Sequence, residues 1–503
     1  MESPSVPAPK TKTKPTPGPK TSHQKKKARA AAKAQAARQA KIDEVVALPI
    51  RNRQACGIDI GQGSHWVCVG FTDNPDRDAH LVGEFPAHTQ GLRDIVVLLR
   101  AHQVTTVAME STAFYWVPLY ELLVQEGFEV LLVHPSYTRQ LKNRPKTDKR
   151  DAQWIFRLHS VGLLAGAFRP AEKTCVLRSY LRQRASLVRR ACRHIQHVQM
   201  ALELMNLKLR CVLDDVTGAT GQKIIKAILR GTRDPHKLAA LRHPSCKHSA
   251  EEMARALDGS CREEHLFALR QAYDAWQFCH KQIDQVDAKV QAQLSAMKSD
   301  RALPPLEKKP AGKRKPNDPR FDVRTALYYV VGLDLTELEG VSELTALTIV
   351  GEIGGDLSKF ATVKHFTSWL GLCPNLKKTG GKVKSSQTRP GINRAAQALR
   401  LGASSLHSSR SALGAYLRRM KSRLGAPAAV TATAHKLARL VYYALTRGMP
   451  YVRRTQEEYA AQIREQQIKA LKNKARRLGL QVSEVSEDKG ATGGGEGAAN
   501  SGP

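Results

Sequence analysis

The stretch Ala55-Cys56-Gly57-Ile58-Asp59-Ile60-Gly61 decides how the N-terminal part of this chain is read. Its apolar run is short and gives way to Gly61-Gln62-Gly63, the pattern of a buried strand running into a turn. An acid at the exit end of such a run is where a sheet would present a reactive side chain. Further strand candidates follow at 65–72, 80–85, 105–109 and 129–133. Between them, Leu92–Arg100 and residues 115–126 carry helical periodicity. The alternation predicts an α/β domain with a central mixed sheet.

Three more acids fall at comparable places. Glu110 closes the apolar run Thr106-Val107-Ala108-Met109, and Asp148 and Asp151 stand three apart in Lys146-Thr147-Asp148-Lys149-Arg150-Asp151-Ala152. On a helix that spacing puts both carboxylates on one face, with Thr147 as N-cap. Each acid alone has an ordinary explanation: a strand-end Asp is commonly a turn residue, and paired Asp among lysines a solvated helix face. Brought together, four like charges raise one another's pKa values unless cations neutralise them. Two magnesium ions roughly 3.5–4 Å apart would do so while polarising a phosphate. We therefore read Asp59, Glu110, Asp148 and Asp151 as ligands for Mg²⁺, with Mn²⁺ able to substitute, in a protein that cuts nucleic acid.

The charge agrees with such a substrate. The 503 residues carry a formal net charge of +35, so a polyanion is the first partner to consider, and binding should depend steeply on salt. An N-terminus rich in Lys, Pro and Ala has no apolar signal core, and no apolar run is long enough to cross a bilayer. A soluble, cytoplasmic protein is expected. Nine cysteines without a Cys-x-x-Cys pair argue for reduced thiols. A zinc site from His243, Cys246, His248, Cys261, Cys279 and His280 lacks the usual paired spacing, so buried cysteines and solvated histidines are the better reading.

Composition divides the chain into a disordered basic arm (1–52), the α/β domain (53–170), a helical coiled-coil region (171–303), a Pro/Lys-rich linker (304–321), a mostly helical C-terminal domain (322–452), a basic helix (453–482) and a disordered tail (483–503). Leu269, Trp276, Ile283 and Val290 repeat every seven residues, Tyr273 and Leu294 follow a second seam, and His280 and Asp287 interrupt it. Arg182, Arg184, Arg189, Arg190 and Arg193 either grip RNA or form a solvated face. The run Leu338–Gly351 reads as a glycine turn leading into a helix, either a plain turn or one offering backbone N–H groups to phosphate.

Two separate motif sets, in order, carry a family resemblance. Gly57-Ile58-Asp59-Ile60, Met109-Glu110-Ser111-Thr112, His134-Pro135 and Lys146–Ala152 resemble the RuvC-like domain of DEDD transposases of the IS-one-ten type of insertion sequence. Ala361–Pro374, Thr379-Gly380-Gly381-Lys382 and Pro390–Leu399 are similar to that family's C-terminal transposase domain. The resemblance spans roughly 53–452. It implies an RNase-H-like (RuvC-like) catalytic domain, a coiled-coil arm and a mostly helical C-terminal domain. It also implies a recombinase that cuts and rejoins double-stranded DNA to excise and insert its own element, in some members guided by a structured RNA that the element encodes. The family's metal acids map onto Asp59, Glu110, Asp148 and Asp151. The coiled coil and the need to join two DNA molecules suggest a homodimer or tetramer.

In one place the chain departs from the family's pattern. A serine before glycine attacks the DNA phosphate in members whose mechanism is understood, whereas the matching residue here is Thr379. Its hydroxyl can attack phosphorus, but its methyl crowds an in-line approach. Thr379 is the first choice of nucleophile, with Ser385 and Ser386 as alternatives and an impaired copy as a third outcome. Lys377, Lys378, Lys382, Lys384, Arg389 and Arg394 flank this glycine loop and would hold DNA backbone. Two competing readings are a metal-dependent junction endonuclease that uses water, and a nucleic-acid-binding protein that has lost catalysis.

Overall fold

The structure, a computed structural model, describes residues 48–70, 80–138, 147–307 and 315–481. Most of the expected basic arm, the middle of the linker, Lys146 and the C-terminal tail lie outside the described residues. The chain divides into two compact units between Phe168 and Arg169.

The first unit is built on a five-stranded sheet in the order β3-β2-β1-β4-β5. Its strands are β1 (Ala55–Ile60), β2 (Ser64–Gly70), β3 (His80–Pro86), β4 (Thr106–Glu110) and β5 (Glu129–Val133). The turn Gly61–Gly63 makes β1 and β2 a hairpin, and β3 continues antiparallel. The connections through α1 (Thr89–Ala101) and α2 (Trp116–Gln125) leave β1, β4 and β5 parallel, so the sheet is mixed, in agreement with the alternating pattern. Ile58, Ile60, Val67 and Met109 from the sheet pack with Ile95, Leu99, Leu119 and Leu123 from these helices. The strand candidate 65–72 is described only as far as Gly70.

A third helix, α3 (Asp148–Ser160), lies on β1 and β2. Thr147 caps it by accepting from Arg150 N–H at 3.4 Å, a long cap contact. Gly57 makes the close approach to β1 feasible: a Cβ there would stand 2.1 Å from Phe156 N and 2.7 Å from the Ala152 carbonyl oxygen. Gly70 on β2 makes room for the Phe156 ring in the same way. Glycines inside strands, which weaken a sheet by themselves, here let a helix backbone rest on it.

The second unit is mostly helical. Its longest helices, α4 (Glu172–Leu204) and α5 (Glu263–Ala296), run antiparallel, with the Lys173 ammonium reaching the Ala296 carbonyl and Gln293 the Lys173 carbonyl. Leu269, Tyr273, Trp276, Ile283, Val290 and Leu294 are buried. Asp287, which interrupts that seam, is buried against the guanidinium of Arg184, which also donates to the Asn317 carbonyl at 2.9 Å. Short helices between α4 and α5 close a second core around Ile224, Ile225, Ile228 and Met253. His243 contacts Ser245, and His248 contacts Glu252, through their Nδ1 atoms.

After the described part of the linker come α6 (Val323–Val331), α7 (Glu343–Ile353) and α8 (Val363–Trp369). An exposed hairpin of β6 (Lys377–Thr379) and β7 (Lys382–Ser385) follows. The unit ends in α9 (Arg394–Ser405), α10 (Ala412–Leu424), α11 (Ala426–Arg447) and α12 (Met449–Arg477). The glycine turn before α7 is packed rather than open: a Cβ on Gly340 would meet the Gly402 carbonyl oxygen of α9 at 2.8 Å. The linker's ends make contacts too, since Tyr328 Oη donates to the Pro304 carbonyl at 2.8 Å and Phe321 is buried. Among the described residues no helix is long and apolar enough to cross a membrane.

Candidate active site

Strand pairing brings the first two acids together. Ile58 pairs with Met109 across the parallel β1–β4 ladder, so the next residues along, Asp59 and Glu110, leave adjacent strands at the same level. Neighbouring strands are about 4.8 Å apart, close enough for the two carboxylates to interact. The start of α3, pressed onto β1 at Gly57, contributes Asp148 and Asp151.

The electrostatics follow from this placement. Burial pushes the Asp59 carboxyl up to about 7, and the charges of Asp151, Glu110 and Asp148, in that order, push the same way. A backbone N–H from Ile60 opposes them only partly. Asp59 is thus held among like charges, where its ionised form is unfavourable. Glu110 is fixed in place, its two oxygens accepting from the hydroxyls of Thr112 at 3.1 Å and Thr138 at 2.7 Å.

The donor set has the hard oxygen chemistry that suits Mg²⁺ or Mn²⁺. Yet among the described residues no three His, Cys, Asp or Glu side chains stand close enough to hold one metal ion. Coupling through space reaches several ångströms, whereas ligation needs oxygens within about 2.1 Å of one point. The four acids share a field without forming a closed cage.

The candidate nucleophiles and the basic residues beside them lie in the second unit. Lys378 pairs with Val383 and Thr379 with Lys382, around a turn whose residues Gly380 and Gly381 have φ of 55° and 76°. Positive φ at both central positions is what a type I′ hairpin turn requires, and glycine adopts it at no steric cost. Thr379 is exposed at the end of β6, directly across from Lys382. Ser385 is half-buried and its hydroxyl accepts from Gln387 N–H at 3.3 Å, while Ser386 is exposed.

Lys377, Lys378, Lys382, Lys384 and Arg389 are exposed around the hairpin. Arg394 differs: it is half-buried at the start of α9, its pKa lowered by burial and then by the Arg182 guanidinium. Of the helical arginines, Arg184 belongs to the core with Asp287, and Arg182 makes a two-pronged contact with Glu352 at 2.8 and 3.1 Å.

Two family models match the chain. One described as Transposase, the DEDD type of IS110, covers residues 56–206, and the other, described as Transposase IS116/IS110/IS902 family, covers residues 334–418. This chain belongs to the IS110-type transposases. The first match contains all four acids and the second contains Thr379, Ser385, Ser386 and the basic residues around them. No curated protein matches the chain. As a transposase of this type it is a DNA-binding enzyme of transposition and recombination, from a family generally dependent on divalent metal.

Four residues shape the site in ways the motifs do not state: Gly57 and Gly70, which admit α3, and Thr112 and Thr138, which hold Glu110. Mid-strand glycines were the available signal for the first pair. Thr138, 28 residues from Glu110, offers no comparable signal in one sequence.

Proposed function

We propose that this transposase cuts and rejoins double-stranded DNA to excise and insert its own insertion sequence, with Asp59, Glu110, Asp148 and Asp151 as metal-holding acids and Thr379 as the nucleophile. The observation that carries the reading is Asp59, forced toward its neutral form by burial and by the other three acids. A perturbed carboxylate among carboxylates is characteristic of a functional site. The strand order, with β1, β4 and β5 parallel and the first hairpin antiparallel, supports an RNase-H-like, RuvC-like domain. The long antiparallel pair of α4 and α5 supports a coiled-coil arm. The resemblance adds a structured guide RNA from the same element and a dimer or tetramer.

Divalent cations bound by the acids would offset charge on a phosphate. The chain's own residues account for the rest. Lys377, Lys378, Lys382 and Lys384, with Arg389, hold backbone phosphates around the hairpin, and Arg394 extends this basic set into α9. The Thr379 hydroxyl gives up its proton to a base, its oxygen bonds to phosphorus, and a strand oxygen leaves, so one P–O bond replaces another and the bond energy is kept for rejoining. Ser385 and Ser386 are the alternative hydroxyls, the first with its oxygen already engaged.

The test incubates the protein with element-end DNA, RNA transcribed beside the gene and Mg²⁺, then looks for DNA attached to denatured protein. Wild type should form the adduct, and Asp59→Ala and Thr379→Ala should each lose it by at least about 100-fold. Dependence on Ser385 or Ser386 instead would move the nucleophile. Mg²⁺-dependent nicking without any adduct would replace the proposal with a water-using nuclease, and tight binding without nicks with a binding protein.

A further inference from the structure

From Leu357 to Gln456 the chain has no aspartate or glutamate and carries 19 lysines and arginines. The hairpin accounts for only part of this charge. A second concentration lies on α10 and α11, mostly beyond residue 418, where the second family match ends.

The α10 face is assembled, not merely charged. Leu413 and Leu417 bury the inner side of the helix, and Arg419 and Arg423, one turn apart, are exposed on the outer side. Tyr416 lies beneath two cations, with Lys436 Nζ of α11 at 4.0 Å from its ring centroid and the Arg419 guanidinium at 5.7 Å. The edge of the face is pinned by Arg418, which donates to the His407 and Ser409 carbonyls at 2.9 and 2.6 Å. Like charges one turn apart, with no carboxylate on either helix, weaken a helix by a few tenths of a kcal/mol. Arg423 lies in the last turn, where the helix dipole favours a cation, but neither helix supplies a carboxylate to neutralise the outer face.

We propose that Arg419, Arg423 and Lys436 form a second nucleic-acid surface, separate from the hairpin, that grips the sugar-phosphate backbone of duplex DNA. Tyr416 is covered by the cations of the same face, so its ring is not open to stack on unpaired bases, as single-strand binding would need. Duplex DNA is the polyanion that the proposed function supplies, and this inference rests on that reading. The contact reads charge and not sequence.

The experiment measures binding of the full chain to a random-sequence DNA duplex across a salt series, for wild type, Arg419→Gln/Arg423→Gln, and Lys377→Ala/Lys378→Ala. The α10 variant should lower the slope of log K against log salt by about 2, weaken binding about tenfold at physiological salt, and melt no lower than wild type. The hairpin variant should keep the α10 contribution, and adding both sets of changes should lower the slope further. An unchanged slope in the α10 variant overturns the proposal, as does a lower melting temperature that accounts for the loss. So does a loss seen with duplex RNA and not with DNA. Because binding is read without cleavage, failure of the nucleophile assignment would leave this result standing, and the reverse holds too.

Discussion

At the scale of single residues, Asp59 works against the stability of the metal-free fold. Its folded pKa of about 7 lies above the ordinary carboxylate value, so the stability it contributes is full below pH 4 and is lost as pH rises through 7. At pH 8 in chelator, Asp59→Asn should therefore melt higher than wild type, by several degrees. Mg²⁺ should raise the melting temperature of wild type and do little for the variant. A variant that melts lower in chelator, or that gains as much from Mg²⁺, would remove the acids from the metal site. Gly57 makes the opposite case, since nothing but hydrogen fits between β1 and α3. Gly57→Ala should destabilise the first unit by roughly 1–3 kcal/mol, as overpacking against rigid backbone does. In whatever folds, displacement of α3 should take Asp148 and Asp151 away from Asp59 and reduce cleavage well beyond the loss of folded protein, as measured per folded molecule by circular dichroism.

At the scale of elements, the α4–α5 pair shows how a heptad interruption is resolved. Asp287 reads in the sequence as a defect in an apolar seam, and the partner that repairs it, Arg184, lies 103 residues away on the antiparallel helix. Removing one member leaves the other charge buried, so Asp287→Ala should cost about 3–5 kcal/mol in denaturant unfolding. Replacing both with leucine should recover most of that loss. If the single variant costs nothing, the pair is solvated and does not set the register of the helices. Arg184 thereby leaves the set of arginines available to RNA, whereas Arg189 and Arg190 remain exposed.

At the scale of the whole molecule, charge is the dominant property. A net charge of +35 and a 100-residue stretch without a carboxylate should make DNA association fast and strongly salt-dependent. Between 50 and 200 mM salt, affinity for random duplex should fall by about 10³-fold or more, and a fall of less than tenfold would mean that few phosphates are contacted at once.

Much of this was legible in one dimension because it is local. Strand and helix periodicity depend on neighbours two to four residues apart, so the sheet's strands, the helices around it and the Thr147 cap could be read from Ala55-Cys56-Gly57-Ile58-Asp59 onward. The two motif sets, in order, were enough to indicate the transposase family. What the tertiary structure decided is everything that depends on distance across the chain. It determined that Asp59 and Glu110 leave adjacent strands at one level, that Gly57 is where α3 touches the sheet, and that Thr138 holds Glu110. It also set Arg184 apart from its neighbouring arginines, and put Thr379 on an exposed hairpin across from Lys382. The reason is physical: a residue's propensity belongs to its own backbone, but its pKa, its burial and its counter-ion belong to whatever the fold brings beside it.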